Sequence, residues 1–275
     1  MLRTRVITAL ILAAFLFAAI FFLPRAGWVL LTALVAALAG WEFGRLSTFS
    51  QPSAVLFGAA VGIVCVSIAL LIPDILAIHA SGFGQSAARL ILGGSAAFWL
   101  LLAPLWLRFR WQLRKGAVAV LVGLLLLVPT WLAMVQIRDL HPWLLVACMA
   151  LVSFADIAAY FSGRRFGRRK LAPNISPGKT WEGAVGATIV VTLYGIAVAT
   201  GIGWANSAGR LGLLLVLLPA LTFISIAGDL FESLLKRQSG LKDSSNLLPG
   251  HGGVLDRIDS LTSTLPLLAL MISLA

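Results

Sequence analysis

Nine long apolar runs restrict this chain to one class of fold. Each run is near the roughly 20 residues that an α-helix needs to cross the hydrocarbon of a bilayer. The runs fall at about 6–23, 27–46, 54–73, 89–107, 116–136, 142–162, 183–201, 208–228 and 255–274. They are continuous, whereas the strands of a membrane β-barrel alternate over about ten residues. The sequence therefore predicts an all-α polytopic membrane protein with about nine transmembrane helices.

Composition agrees with a membrane protein and bears on its partners. The chain is 60% apolar and only 11% charged, whereas a soluble domain is about half apolar and a quarter charged. A net charge of +11 is also typical of nucleic-acid binding. We interpret it instead as a topology signal and as attraction for anionic headgroups and substrates, so we expect no nucleic-acid partner.

The basic residues predict an orientation. With the N-terminus in the cytoplasm, seventeen of the 21 Lys and Arg residues lie on the cytoplasmic side. The four on the other side are Arg25, Arg89, Arg138 and Arg210. This bias follows the positive-inside rule. An odd number of spans then puts the C-terminus outside, and we expect a multi-pass protein of the inner (cytoplasmic) membrane.

The acidic residues are concentrated in the C-terminal half. The last 120 residues hold Asp156, Glu182, Asp229, Glu232, Asp243, Asp256 and Asp259, whereas the first half holds only Glu42, Asp74 and Asp139. Ionisable groups near hydrocarbon are costly and usually mark a functional site. We therefore predict a lipid-facing scaffold of spans 1–5 over 1–140. A catalytic region of spans 6–9, with their cytoplasmic loops, follows over 141–275.

One polar stripe continues from the eighth apolar run. In the sequence DLFESLLKR, residues Asp229, Glu232, Ser233 and Lys236 have helical spacing and share one face. Such a stripe predicts a helix that lines a cavity at the cytoplasmic interface. For Glu232 and Arg237 taken alone, a solvated helix end is the better interpretation, whereas Asp229 lies at the apolar edge and favours function.

A glycine-rich turn precedes the last apolar run. The segment 248–253 reads LPGHGG and surrounds His251 with glycines, so its backbone can turn sharply and approach a ligand. Asp256 and Asp259 follow at i, i+3 and can hold a hard cation such as Mg²⁺. An acidic first turn that complements the helix dipole is the alternative. It explains one aspartate, but not a pair with Arg257 between them.

Two further features lie between the sixth and seventh runs. Asp156 lies inside an apolar run and shares a helical face with Tyr160, and packing and function are equally good explanations for it. The segment 175–183, ISPGKTWEG, is like the end of a P-loop. The required upstream glycine is absent, because Pro173 occupies its position. The segment around Lys179 remains a tight basic turn that suits contact with a polyphosphate.

These motifs together resemble a known family. The run 233–259, SLLKRQSGLKDSSNLLPGHGGVLDRID, is similar to the signature of the phosphatidate cytidylyltransferases (CDP-diacylglycerol synthases), with no departure at a signature position. The stretches 156–167 and 176–183 resemble the same family. The similarity covers the C-terminal 125 residues. The N-terminal half matches only as a string of apolar spans.

The resemblance implies a nucleotidyltransferase of phospholipid biosynthesis. CTP and phosphatidate would give CDP-diacylglycerol and pyrophosphate, at a site that faces the cytoplasm. It implies dependence on Mg²⁺ and leaves a second cation open. The expected partners are CTP, phosphatidate and membrane lipids, and a homodimer is left open.

The family pattern also implies roles for individual residues. Catalytic roles are expected for Asp229, Lys236, Asp256 and Arg257. Metal binding is expected at Asp229 and Asp256, with Asp243 and Asp259 as further contributors. Substrate binding is expected at Ser176, Lys179, Ser233, Arg237, Lys242, His251, Gly252 and Gly253.

Two other functions compete with this interpretation. A CTP-dependent enzyme acting on a different lipid, such as a polyprenol or an ether lipid, would carry the same polar residues. An ion or anion transporter would also have many spans with charges inside them. Transporters often contain two related halves, whereas the halves of this chain differ sharply in polarity, so we rank the transporter lower.

Overall fold

The computed structural model describes residues 2–79 and 81–274, and the side chains from residue 6 onward. The described residues form ten α-helices and one two-stranded hairpin. The helices are α1 Leu2–Phe22, α2 Arg25–Leu46, α3 Gln51–Leu71, α4 Gly82–Ala97, α5 Ala103–Phe109, α6 Ala117–Leu140, α7 Pro142–Phe166, α8 Trp181–Gly201, α9 Ala208–Gln238 and α10 Leu255–Leu274. A 3-10 turn at Pro73–Leu76 follows α3, and a π-helical turn at Phe98–Leu102 joins α4 to α5.

The predicted all-α membrane fold is confirmed. Each apolar run corresponds to one helix, and the run at 89–107 corresponds to α4 and α5 together. In the described part of the chain, eight helices are long and apolar enough to cross a membrane, and α1 contributes a shorter apolar stretch, Val6–Phe22. The charge pattern predicts on which side of the membrane each terminus lies. The terminal residues Met1 and Ala275 lie outside the described residues.

The helices begin where local capping chemistry predicts. The Thr180 side chain accepts a hydrogen bond from the Gly183 N–H (3.1 Å) at the start of α8. The Ser207 hydroxyl accepts from the Arg210 N–H (3.3 Å) at the start of α9. Side-chain oxygens at this position satisfy backbone donors that have no partner inside the helix. Pro142 occupies the first turn of α7, where its missing N–H has no consequence.

Helix α6 lies inside the bundle, packed against α2, α3, α4, α7 and α10. Its polar side chains in the middle of the bundle are therefore buried, and they donate to backbone carbonyls of neighbouring segments. The Trp131 indole donates to the Val29 carbonyl (3.3 Å), and the Gln136 amide donates to the Ile75 carbonyl (2.7 Å). The expectation that spans 1–5 face lipid is thus wrong for α6, which serves as core.

A short β-hairpin connects α7 to α8, where the sequence predicted only a tight basic turn. Strand β1 (Lys170–Ala172) pairs antiparallel with β2 (Ser176–Thr180). The Glu182 carboxylate closes its base by accepting from the N–H groups of Arg168 (3.0 Å) and Arg169 (3.2 Å). Strand β2, which carries Lys179, contacts α7, α8 and α9.

The two ends of the bundle differ in how their basic residues are used. The four arginines that the charge count assigns to the far end each have a partner there. Their contacts are Arg25 with Asp139 (3.3 Å), Arg89 with the Ser273 carbonyl (2.8 Å), Arg138 with the Ile20 carbonyl (2.9 Å), and Arg210 with the Trp204 carbonyl (3.0 Å). Among the side chains that the structure describes, the other end carries the remaining basic residues together with the clustered acids.

Candidate active site

A cluster of charged side chains lies near one end of the bundle. Its members are Asp156, Lys179, Asp229, Glu232, Lys236, Asp256, Arg257 and Asp259. They come from α7, strand β2, α9 and α10. Asp156 and Asp229 each lie about two to three turns inside the ends of their helices. The cluster is therefore recessed from the end of the bundle into the depth of the helices.

The polar stripe of α9 forms the floor of this cluster. The Ser233 hydroxyl donates to Asp229 Oδ1 (3.2 Å), and Lys236 Nζ donates to Glu232 Oε2 (2.8 Å). The predicted shared face is thus confirmed. Glu232 is buried and its second oxygen has no hydrogen-bond partner. The interpretation of Glu232 as a solvated helix end is therefore wrong, because packing of α9 against α10 encloses it.

Lys236 and Asp256 link α9 to α10. Lys236 Nζ lies 2.7 Å from Asp256 Oδ1, and the two side chains are only 15% and 4% exposed. Asp256 Oδ2 accepts three more hydrogen bonds, from the Ser244 N–H (2.9 Å), the Ser244 hydroxyl (2.9 Å) and the Gly253 N–H (2.8 Å). Both carboxylate oxygens are thus occupied by protein donors, and Asp256 ties the signature loop to Lys236.

Lys179 and Asp229 form a second, more open pair. Lys179 Nζ lies 2.6 Å from Asp229 Oδ2, with side chains 23% and 28% exposed. The charge of Asp229 also acts on Asp156 and on Asp259. Asp229 thus interacts with one carboxylate on α7 and one on α10, and its pair with Lys179 is partly exposed.

The LPGHGG segment is a compact turn whose glycines make room for a carboxylate. Gly250 and Gly252 have φ of +77° and +82°, values that side chains with a Cβ rarely adopt. The Leu248 N–H donates to the Gly252 carbonyl (2.9 Å), which closes the turn. A Cβ on Gly252 would lie 2.7 Å from Asp256 Oδ2. Only glycine at this position lets the carboxylate approach the turn.

Glu42 of α2 is a site residue that sequence reasoning missed. Its carboxylate is fully buried. It accepts hydrogen bonds from the hydroxyls of Ser244 (3.0 Å) and Ser245 (2.5 Å) and from the N–H groups of Val254 (3.0 Å) and Leu255 (2.6 Å). Glu42 thus holds both the signature loop and the first turn of α10. The available signal was an acid inside an otherwise apolar run.

Two more contacts draw α2 into the site. Arg45 Nη1, one turn after Glu42, donates to the Ser244 carbonyl (3.2 Å). A Cβ on Gly253 would collide with the Glu42 carboxylate and with the Ser244 hydroxyl. Region 1–140 therefore supplies part of the support for the cluster, and the predicted division into scaffold and catalytic region stays a prediction.

Comparison with known proteins identifies the family. The sequence profile of the cytidylyltransferase family matches residues 3–275. The chain is 42% identical to "Phosphatidate cytidylyltransferase" of Pseudomonas aeruginosa, with 99% of this chain and 97% of the relative covered. It is 34% identical to the protein of the same name from Haemophilus influenzae, with 97% and 96% covered. This chain belongs to the cytidylyltransferase family. The resemblance drawn from the signature is thus confirmed, and it extends over the N-terminal half.

Several predicted substrate-binding residues of this cytidylyltransferase lie at the rim of the cluster. Lys242 and Asp243 are exposed in the loop before Ser244, and His251 is half-buried in the glycine turn. The N–H of Gly253 is already donated to Asp256, so that donor is engaged within the protein. The roles of these residues stay predictions.

The remaining predicted residues flank the hairpin and α10. Ser176 opens β2 opposite Ala172. The exposed Arg237 side chain donates through Nε to the Ile175 carbonyl (3.4 Å), which ties the end of α9 to the hairpin. Arg257 is exposed, and its charge acts on Asp156. The structure thus brings the hairpin and the signature together.

The predicted metal site has chemically suitable donors but no complete ligand set. Within the described ranges, no group of three or more His, Cys, Asp or Glu side chains is arranged to hold a metal ion. Mg²⁺ commonly uses one or two protein carboxylates, with phosphate oxygens and waters completing the shell. Protein donors contact both oxygens of Asp256, and Ser233 and Lys179 likewise contact the two oxygens of Asp229. The Asp229 pair is the more exposed of the two, so it is the better position for a metal that displaces a lysine.

Proposed function

We propose that this cytidylyltransferase transfers the cytidylyl group of CTP to phosphatidate and releases CDP-diacylglycerol and pyrophosphate. The names of the two full-length relatives support this substrate pair. The observation that carries the proposal is that α9 supplies one member of each of two ion pairs about two turns apart, Asp229 with Lys179 of β2 and Lys236 with Asp256 of α10. Two cations and several carboxylates in one recess suit two phosphate-bearing reactants.

The reaction needs no protein nucleophile. A phosphate oxygen of phosphatidate forms a bond to the α-phosphorus of CTP. The bond from that phosphorus to the oxygen bridging to the β-phosphorus breaks, and pyrophosphate leaves with the electron pair. Because both reactants are anionic, catalysis consists mainly of positioning and of charge neutralisation.

The two lysines would supply that neutralisation. Lys236 is fixed between Glu232 and Asp256 at 2.8 and 2.7 Å, so its ammonium group needs little reorganisation when a phosphate arrives. Lys179 stands on the more exposed pair and would meet a phosphate first. Arg257 would add a third cation at the rim, because it is exposed beside Asp156.

Mg²⁺ would be held by the carboxylates around Asp229, which would release Lys179 to bind it. Asp229, Asp259 and Asp156 come from three helices and interact through their charges, and oxygen donors of this kind suit a hard cation. A bound Mg²⁺ would neutralise phosphate charge and polarise the phosphoryl group as a Lewis acid. Asp256 would join them only by giving up one of its present donors. Asp243 is exposed outside this group.

The proposed orientation places this recess in the cytoplasm, where CTP is available. Counting α1 as a span gives nine crossings of the inner membrane, with the N-terminus inside and the C-terminus outside. The clustered site is at the bundle end that carries most basic residues, which supports a cytoplasmic location. The four arginines at the far end are engaged in local contacts.

The test is an assay of the purified protein in detergent with CTP and phosphatidate, with and without Mg²⁺. We expect equal amounts of pyrophosphate and CDP-diacylglycerol, and only with the metal. Pyrophosphate release without phosphatidate would indicate CTP hydrolysis and contradict the proposal. A preference for a polyprenol phosphate or an ether lipid would favour the different-lipid alternative. Light scattering of the same sample measures whether the chain is a homodimer.

A further inference from the structure

A second feature of the molecule lies on the other side of the hairpin from the charged cluster. A groove of about 590 Å³ runs between the end of α5 and the middle of α9, covered by the hairpin. Its walls are apolar and include Leu107, Phe223, Ile226 and Leu230. Phe223 is 47% exposed, so the groove opens on the face of the bundle that would meet lipid.

Two arginines line the groove at the end of α5. Arg108 and Arg110 are both exposed. Arg110 ends α5 in the left-handed conformation, with φ of +52°. The Gln238 side chain at the end of α9 holds the following loop, since it donates to the Trp111 carbonyl (2.9 Å) and accepts from the Leu113 N–H (3.2 Å). The arginines are thus anchored beside the groove through backbone contacts.

The groove adjoins the charged cluster. Ile226 and Leu230 of its wall are one turn apart on α9. They form a face of the helix next to the face that carries Asp229. Ile175 also lines the groove and lies on the hairpin that carries Lys179. A phosphate beside the arginines would therefore be separated from Lys179 only by the width of the hairpin.

We propose that this groove binds the acyl portion of phosphatidate, with Arg108 and Arg110 binding its phosphate before transfer. The inference rests on the proposed function. Apolar walls with cations at one end complement an anionic amphiphile, and a guanidinium binds phosphate through paired hydrogen bonds. Among the described residues, no acid lines the groove, so nothing there repels the phosphate.

A rival cleft lies between α7 and α8 and has a volume of about 860 Å³. Arg165, Arg168 and Arg169 line it, but so does Glu182. That carboxylate accepts from the backbone of Arg168 and Arg169 and offsets one of the three positive charges. The cleft also contains no residue of α9, whereas the groove adjoins Asp229. The observations therefore favour the groove along α9.

The kinetic test removes the two charges and keeps the fold. Arg108→Gln/Arg110→Gln leaves the backbone contacts of Gln238 in place. Arg114→Gln/Lys115→Gln is the matched control, because these exposed residues lie in the same loop but do not line the groove. In mixed micelles, we expect the apparent KM for phosphatidate to rise roughly ten- to thirtyfold in the first variant. The KM for CTP and kcat should stay unchanged. A change in the KM for CTP, or equal effects in both variants, would overturn the proposal.

Cross-linking tests the location without relying on turnover. Phosphatidate with a diazirine in one acyl chain is photolysed with the wild-type protein, and the adducts are mapped by mass spectrometry. We expect adducts on Leu107, Phe223 or Ile226. Adducts on Val185 or Ile189 of the rival cleft, or no adduct at all, would refute the groove. Adducts in the groove without any CDP-diacylglycerol formation would instead refute the proposed function and leave the lipid site standing.

Discussion

Replacing Glu42 by glutamine tests whether a residue of α2 positions the site. Glu42 accepts from two backbone N–H groups and from the Ser245 hydroxyl, and it shares the one hydroxyl proton of Ser244 with Asp256. An ionised carboxylate suits this position because it only accepts. In Glu42→Gln one oxygen becomes an amide nitrogen. A serine hydroxyl can rotate to accept from that nitrogen, but the N–H of Val254 or Leu255 cannot.

The structure gives the size of the effect. One buried backbone N–H loses its acceptor, at about 1–3 kcal/mol. The negative charge at the start of α10 is also lost, at about 1 kcal/mol. We therefore expect the variant to be destabilised by about 2–4 kcal/mol. Because Glu42 and Asp256 hold the same loop through Ser244, Asp256 should also be less well fixed. A misplacement of about 1 Å costs on the order of a hundredfold in rate.

The assay measures kcat, the KM for CTP and thermal unfolding in detergent. We expect kcat to fall about a hundredfold with little change in the KM for CTP, because Glu42 contacts the loop rather than a substrate phosphate. Glu42→Asp keeps the charge and should recover part of the activity. Wild-type kcat and stability in Glu42→Gln would show that Glu42 does not position Asp256, and the argument would fail.

The other predictions concern the lysine, the aspartates and the orientation. Lys236→Ala should lower kcat about a hundredfold, whereas Lys115→Ala should not, because only Lys236 lies in the cluster. Asp229→Asn should abolish Mg²⁺-dependent turnover, and Asp256→Asn should abolish it by releasing Lys236 and the signature loop, with some loss of stability. The double variant should be scarcely less active than either single variant, because residues that act together are non-additive. In intact cells, Asn246→Cys should resist an impermeant thiol reagent, because this exposed loop position is predicted to be cytoplasmic.

Variants at the far end serve as controls for these measurements. Asp139→Asn removes the partner of Arg25 and should leave turnover unchanged. Asn206→Cys, exposed between α8 and α9, should react with the impermeant reagent. If Lys236→Ala and Lys115→Ala lower kcat equally and mildly, Lys236 has no role in catalysis and only contributes to the charge bias that sets the membrane orientation. Near-normal turnover of an aspartate variant at saturating Mg²⁺ would remove that aspartate from the metal site. Labelling of Asn246→Cys by reagent added from outside would show that the membrane orientation is the opposite of the one proposed.

Local sequence was sufficient for the helices and for one face of the site. An apolar run near 20 residues long predicts a membrane helix without reference to its neighbours, so the approximate positions of the helices followed from composition. The face shared by Asp229, Ser233 and Lys236 followed from helical periodicity. The family followed from the fixed polar residues of 233–259, and it was confirmed over nearly the whole chain.

Tertiary packing decided which charged groups meet. Glu42 holds Ser244 across 202 residues of sequence, and Lys236 pairs with Asp256 only because α9 and α10 pack together. The hairpin places Lys179 against Asp229 although nothing in its short polar sequence specifies that partner. The helical or alternating spacing of polar residues indicates only which face of a segment is polar. The partner of a buried charge depends on which helices surround it, and here that partner offsets part of the cost of burial.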